Sequence, residues 1–463
     1  MEEPKGRGGD RVHGFKFLLL FFSSLFLNVF FFSYLFLSRR THLGWSRAAA
    51  AEAELVAAIS CSGHGRAYLD GILVDGLPTC ECNTCYSGAN CSQLLPDCSA
   101  DGDSGDPLFL EPYWQQHAAS SAVVFSGWHR MSYRTTGDNF ISLELERHIR
   151  LLHEAVGNAV TDGRLIIFGS GSTQLLNALV YALSPENAST PASVVATAPY
   201  YALYKMQTEV FDSREYEWKG ITSKWLNTSV SSMQNFIEFV TSPNNPDGFL
   251  LQSVLGGPNI IYDHAYYWPH YTAIPAPADE DVMIFTDSKL SGHASSRFGW
   301  AVIKDEKVYR KAINYMQVNT MGVSRDTQLR VLKLIKMMLA EMRGEGGIFE
   351  FGYKTIAERW SKLSKVISSS NRFSLQQLSP QYCTYFKRIR NPSPAYAWFK
   401  CEMEQDVDCS AVLSEARIIS RPGTVFEASS RYARLSLIKT RDDFDLLLRR
   451  MEALVSKEDV ASF

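Results

Sequence analysis

Lys289 follows an apolar run, DVMIFTDSK, and a primary amine placed there can attack a carbonyl once it is partly neutral. Eight residues on stands Arg297, behind the small-residue stretch Ser291–Ser296. Small side chains let a bulky group lie against the backbone, and a guanidinium can grip a phosphate with two parallel bonds. Upstream, RLIIF runs into Gly169-Ser170-Gly171-Ser172-Thr173-Gln174 and then an apolar helical stretch. Glycines admit an anion to the backbone, and a helix start offers free N–H groups, so this is a phosphate cradle. It is not a P-loop, because GxxxxGK[ST] is absent. Thr241–Gly248 (TSPNNPDG) is a tight Pro/Asn/Gly turn, and NIIYDHAYYWPHY puts Asp263 and Tyr266 just past a strand. Taken singly, each feature has an ordinary reading: a solvated lysine, a capped turn, a polar wall. Tyr200, Tyr262, Tyr267 and Trp268 read as core or wall, and His129, His264 and His293 receive no role.

These residues need elements to hold them. RLIIFGSG, SVVATAPYY, NIIYDHAYY and DVMIFTDSK read as strands. Helical periodicity runs through ISLELERHIRLLHEAVGNAV, TQLRVLKLIKMMLAEM and DDFDLLLRRMEALV. Alternation of the two predicts an α/β fold with a mostly parallel sheet covered on both faces, and ligands then bind at the carboxyl ends of its strands. With 463 residues and 46% hydrophobic, the chain has material for two or three folded units. A formal charge of −3 gives no basic footprint, which argues against a nucleic-acid partner.

The front of the chain has a different composition. Residues 1–14 form a tail. Residues 15–37, FKFLLLFFSSLFLNVFFFSYLFL, are long and apolar enough to predict a transmembrane signal anchor, with a cleaved signal as the competing reading and 38–59 as a linker. Six of nine cysteines then crowd together: Cys61, Cys80, Cys82, Cys85, Cys91 and Cys98. Only Cys82 and Cys85 have zinc-like spacing, so a Gly-rich module of the EGF type over 60–99, stapled by disulfides, is expected rather than a metal site. Six cysteines allow 15 connectivities. Cys401 and Cys409 can close a short loop, and Cys383 is left as a buried thiol. Sequons at Asn90, Asn187 and Asn227 add to the expectation of a secretory-pathway body, lumenal or extracellular, with glycosylation at those positions.

In this order, the phosphate loop, the Asn-Pro-x-Gly turn, the strand-end Asp with Tyr three later, then Lys and Arg resemble fold-type-I pyridoxal-phosphate enzymes over about residues 101–463. SPNNPDG, YDHAYYWPHY, SGHASSRFGW and SSRYARLSL resemble the plant alliinase and tryptophan-aminotransferase-related family, and Cys61–Cys98 resembles its EGF-like domain. The resemblance implies a large domain at about 141–345 and a small one combining about 100–140 with 346–463. It implies Lys289 as the catalytic lysine that joins the cofactor aldehyde. Asp263 would pair with the pyridine nitrogen, Asn245 and Tyr266 would bond the ring oxygen, and Tyr201 would stack on the ring. Ser172, Thr173, Thr286 and Arg297 would hold the phosphate, and Ser288 would also bind the cofactor. Tyr133, in GWHRMSY, would reach a phosphate across a homodimer interface. Arg434 would clamp the substrate α-carboxylate, with Ser104-Gly105 on a loop closing over it.

The expected activity is an aminotransferase giving a 2-oxo acid such as indole-3-pyruvate, in auxin synthesis. A carbon–sulfur lyase acting on S-alkyl-cysteine sulfoxides needs the same residues and is the alternative. A silent binding protein is a third reading, opposed by the intact Lys289, Asp263 and Arg434. Without a second side-chain arginine among the motifs, acidic substrates are disfavoured.

Overall fold

The structure is a computed structural model describing residues 19–33, 45–134, 140–186, 189–211, 213–227, 234–342 and 346–461. Seven strands form the main sheet: β1 (Leu165–Ser170), β2 (Ala192–Ala196), β3 (Tyr216–Ile221), β4 (Phe236–Thr241), β5 (Ile260–Asp263), β6 (Val282–Thr286) and β7 (Phe298–Ile303). Their order is β3-β2-β4-β5-β6-β7-β1. All run parallel except β7, which is antiparallel to both neighbours. A reversed strand begins where its neighbours end, so Arg297, just ahead of β7, arrives at their carboxyl ends.

Strand residues alternate between two cores. Ile166, Phe168, Met283, Phe285, Trp300 and Val302 pack on one side, while Ile167, Val282, Ile284, Ala301 and Ile303 pack on the other. Helices α1 (Leu143–Val156), α2 (Gly171–Leu183), α3 (Leu203–Val210), α4 (Asp287–Leu290), α5 (Glu306–Asn319) and α6 (Arg325–Glu341) follow in chain order. The first core takes α1 and α6; the second takes α2, α3 and α5. After α7 (Ile348–Ile367), a four-stranded sheet collects β8 (Phe373–Leu375), β9 (Tyr396–Cys401), β10 (Arg421–Pro422) and β11 (Tyr432–Ser436) in the order β8-β9-β11-β10. It packs against α7 and the closing helix α8 (Arg441–Ala461) through Leu363, Phe399, Leu435 and Leu447.

The front cysteines pair as Cys61–Cys80, Cys82–Cys91 and Cys85–Cys98, and Cys401 pairs with Cys409. Cys383 is free and buried, as expected. Strand pairs in the front module are only two residues long, so the bridges replace a core. The module docks through polar contacts: Arg66 with Glu111 at 3.0 Å and Asn83 Nδ2 to Asp442 Oδ2 at 2.7 Å.

The membrane anchor expected over 15–37, and with it a membrane partner, finds no support. Among the described residues no helix is long and apolar enough to cross a membrane. The helix over 19–33 reaches about 22 Å at 1.5 Å per residue, short of a core of roughly 30 Å. Residues 15–18 and 34–37 lie outside the described residues. Asn90 and Asn227 are exposed, and Asn187 lies outside the described residues.

Candidate functional site

Lys289 rides on α4, one turn of helix after β6. Thr286 caps that turn, accepting from the Ser288 N–H at 3.3 Å while its hydroxyl donates to the Phe298 carbonyl at 3.2 Å. Ser288 is buried, and so is Thr286. The turn sends the Lys289 amine onto the Gly105 carbonyl and to 5.7 Å from the centre of the Tyr266 ring.

Asp263 ends β5 and is buried. Tyr204 donates to Oδ2 at 2.9 Å and the Ala265 N–H to Oδ1 at 3.1 Å. Burial raises its carboxyl above the usual range, with Tyr204, the Ala265 amide and His264 offsetting part of the rise. Both donors are neutral, so among the described residues this carboxylate has no hydrogen-bonded cation, which a protonated ring nitrogen would supply.

The cradle forms at the start of α2. Ser170 precedes the helix without a side-chain cap, which leaves the first-turn N–H groups of Ser172 and Thr173 for an anion. Arg297 adopts a left-handed backbone (φ 50°) and reaches Thr173 Oγ1 through Nη2 at 3.4 Å. Gly171 has φ +72°, and a Cβ there would stand 2.9 Å from the Arg297 Cζ. A Cβ on Gly299 would lie 2.6 Å from the Ser172 nitrogen. Only glycine lets β7 close on the cradle from behind.

Arg434 is buried, donating through Nη1 to Asn245 Oδ1 at 2.9 Å and through Nη2 to the Asp103 carbonyl at 2.7 Å. Its Nε has no partner among the described residues, and its guanidinium lies 3.9 Å from the centre of the Tyr396 ring. Tyr201 packs edge-on to Tyr204 at 5.7 Å, and burial foremost pushes its phenol up to about 12. Gly105 is drawn in by Lys289, but Ser104 spends its hydroxyl on Asp106 Oδ2 at 2.7 Å. Tyr133 does not join the buried constellation: the residue is 71% exposed, and its carbonyl accepts from Arg325. The tyrosines expected as wall, Tyr200, Tyr262 and Tyr267, are buried, as is Trp268.

Four residues at the site lie outside the quoted motifs. Tyr204 follows Tyr201 by one helical turn, a spacing that faces the same way. Tyr396 sits in β9 with its hydroxyl 2.7 Å from that of Tyr266. Asp103 pairs with Arg421, the second arginine that the motifs did not reveal.

A strand-end lysine, a buried carboxylate lacking a cation and a helix-start anion cradle together fit pyridoxal phosphate. Fold and site define a pyridoxal-phosphate-dependent enzyme of the fold-type-I class. Two solved structures share the fold: an Escherichia coli methionine aminotransferase, YbdL (TM-score 0.55, 15% identity, 77% of this chain and 94% of that one), and a multiple-substrate aminotransferase from Thermococcus profundus (TM-score 0.56, 13% identity, 79% and 93%).

Within that class the chain belongs to the alliinase family. Residues 100–455 match the family described as Allinase, and residues 44–98 match the alliinase EGF-like domain. An alliin lyase from Allium cepa var. aggregatum is 55% identical over 421 residues, 89% of this chain and 94% of that protein. Tryptophan aminotransferase-related protein 4 from Arabidopsis thaliana is 50% identical over 458 residues, 96% of this chain and 98% of that protein.

Proposed function

We propose that the protein is an aminotransferase converting an L-amino acid to its 2-oxo acid, with an aromatic substrate such as tryptophan as first choice. The observation that carries the amino-acid substrate is the Lys289 amine held between the Gly105 carbonyl and the Tyr266 ring, with Arg434 as a buried clamp for an α-carboxylate. When bound, pyridoxal phosphate supplies an electron sink for the bonds at the substrate α-carbon. Arg434 fixes the α-carboxylate bidentately, which orients the α-hydrogen. Lys289 would take that hydrogen as a proton at Nζ and hold it there for return. With the cofactor bound, Asp263 would hold a positive charge at the ring nitrogen, Asn245 and Tyr266 would hold the ring oxygen, and Tyr201 would cover the ring. Ser172, Thr173, Thr286 and Arg297 would keep the phosphate in place, and Ser288 would also contact the cofactor. Solvent-facing Tyr133 is assigned to the neighbouring site of a homodimer. The disulfide-stapled module supports a secretory-pathway or extracellular address.

Carbon–sulfur β-elimination is the second reading, favoured by the 55% identity to an alliin lyase. The match to a tryptophan aminotransferase-related protein over 98% of its length supports the first. The deciding experiment offers the purified protein L-tryptophan with pyruvate and, separately, an S-alkyl-cysteine sulfoxide. Indole-3-pyruvate from the first supports transamination. Pyruvate released from the second with none of the first product overturns it.

A further inference from the structure

β10 and β11 pair antiparallel, with Arg421 directly opposite Arg434. Directly opposed residues put their side chains on one face of a sheet, so two guanidiniums share the substrate side, and like charges so placed repel. Asp103 stands between them. It takes Arg421 with both oxygens, Nε to Oδ1 at 2.5 Å and Nη2 to Oδ2 at 3.1 Å, and offers Arg434 its backbone carbonyl, with Oδ1 4.0 Å away. One carboxylate thus serves two cations, and the site keeps a positive balance.

The two arginines differ in access. The Arg434 side chain is 3% exposed and that of Arg421 is 37% exposed. Among the described residues, Arg421 Nη1 has no acceptor. Its charge is also felt inside the site: Arg421 is among the groups that lower the phenols of Tyr201 and Tyr396 against the rise from burial. Asp103 lies on the same short strap as Gly105, whose carbonyl holds the Lys289 amine. A substrate that displaces the strap from Lys289 also disturbs the carboxylate on Arg421.

We propose that Arg421 is a specificity residue that receives a negatively polarised oxygen, a sulfoxide or a carboxylate, at the far end of the substrate side chain. With the α-carboxylate on Arg434, side-chain atoms a few bonds further on come within reach of a guanidinium rooted on the adjacent strand. This rests on the reading above that the substrate is an L-amino acid, here with a side chain ending in such an oxygen in place of an indole, and it offers a second arginine that the motifs did not reveal.

The test uses the full chain and two substrate pairs: S-methyl-L-cysteine sulfoxide with S-methyl-L-cysteine, and L-glutamate with L-norvaline. For each pair the ratio of kcat/KM, oxygen-bearing over apolar, is measured in wild type and Arg421→Gln. The expected result is a fall of about 10- to 100-fold in at least one ratio, carried mainly by KM, the loss of one charge-assisted hydrogen bond. Collapse of the sulfoxide pair alone identifies a dipolar oxygen; collapse of the glutamate pair alone identifies a carboxylate. Asp103→Asn keeps the Arg421 charge and should keep or raise the ratio. A parallel fall of both members of each pair in Arg421→Gln overturns the proposal. So does an equal fall of the ratio in Asp103→Asn, which would make the pair a structural staple. Wild-type ratios near one overturn the proposal and leave the enzyme reading standing, whereas a wild type that binds no pyridoxal phosphate overturns both.

Discussion

The hydroxyls of Tyr266 and Tyr396 lie 2.7 Å apart in the buried centre of the site. Burial raises both phenols. At Tyr396 the nearby Lys289 and Arg434 charges and the Tyr266 hydrogen bond outweigh it, so that phenol falls below its usual range while Tyr266 rises well above. Tyr266 therefore keeps its proton, and the two hydroxyls share one hydrogen bond. Tyr396→Phe should strand a buried hydroxyl, at about 1–3 kcal/mol, and cut kcat/KM about 10-fold or more. Steady-state kinetics across pH check this, because loss of the hydroxyl near Lys289 should also displace the pH optimum. A variant with wild-type kinetics and an unmoved profile would exclude Tyr396 from the proton network.

Tyr204 is tied to Asp263 Oδ2 at 2.9 Å and to Thr241 Oγ1 at 2.6 Å. Tyr204→Phe removes one donor to a buried carboxylate and should weaken pyridoxal-phosphate binding about 5- to 30-fold. Asp263→Asn removes the ionic partner itself and should cost activity on the order of a thousandfold. Titrating apoprotein with the cofactor by visible absorbance measures the first effect, and kcat measures the second. Equal, small effects in both variants would refute the assignment of Asp263.

The cradle gives a steric prediction. A methyl on Gly299 meets backbone on three sides, the Ser172 nitrogen at 2.6 Å and the Gly171 carbon and Phe285 oxygen at 2.9 Å, and backbone cannot swing away. Gly299→Ala should cost about 1–3 kcal/mol and lower cofactor affinity. Gly171→Ala meets mainly the far end of Arg297, which can move, so its cost should come from the positive φ, about 1–2 kcal/mol. Thermal melts with and without cofactor separate the two.

Much of this is legible in the sequence. The strands before Gly169, Asp263 and Asp287 announced themselves by short apolar runs ending in polar residues, and the residues at their ends carry the site. β3, β4 and β7 were harder, because YEWKGI carries two charges, FIEFVT buries Glu238 and FGWAVI opens with no turn signal of its own. The buried Glu238 is satisfied by Ser253, Val254 and Leu255, contacts that no local pattern encodes. Tyr396, Asp103 and Arg421 were missed for a related reason: each acts through partners 130 to 331 residues away, and YAWFK or SRPG alone reads as ordinary strand and turn. The apolar stretch at 15–37 is a strong local signal, but its helix among the described residues is shorter than a membrane span, and 15–18 and 34–37 lie outside them.

Acid should destabilise the protein through its buried histidines. Burial, more than any other cause, lowers His153 to about 4 and His270 to about 3. Between the ordinary histidine range near 6.5 and those values, the unfolded chain binds more protons than the folded one, so stability falls as pH drops. His270 Nε2 lies 3.0 Å from the Lys289 carbonyl, while Nδ1 is buried with no partner among the described residues. A second proton there has no acceptor. His270→Gln should lose less melting temperature than wild type between pH 7 and pH 5, and an identical slope would assign the acid sensitivity elsewhere.

The strap over the site is anchored by an ion pair remote from the chemistry. Lys439 is buried and meets Asp101 Oδ2 at 2.8 Å. The other oxygen, Oδ1, accepts from the N–H groups of Asp103 at 3.0 Å and Ser104 at 3.3 Å. Burial raises the Asp101 carboxyl, but Lys439 and these two amides outweigh it, and the group ends below its usual range. It stays ionised, and it holds the segment that brings Asp103 to Arg421 and Gly105 to Lys289. Lys439→Ala leaves that charge without its partner and should loosen the strap, at about 1–3 kcal/mol, which allows for the part-exposure of Asp101. Because the reacting groups are untouched, the kinetic effect should be a raised KM with kcat nearly kept. Asp101→Asn with Lys439→Met removes both charges and should recover most of the melting temperature but not the KM, since the neutral amide binds the strap N–H groups less strongly. Recovery of both would make the pair a matter of stability alone, and recovery of neither would place the fault in packing around Lys439.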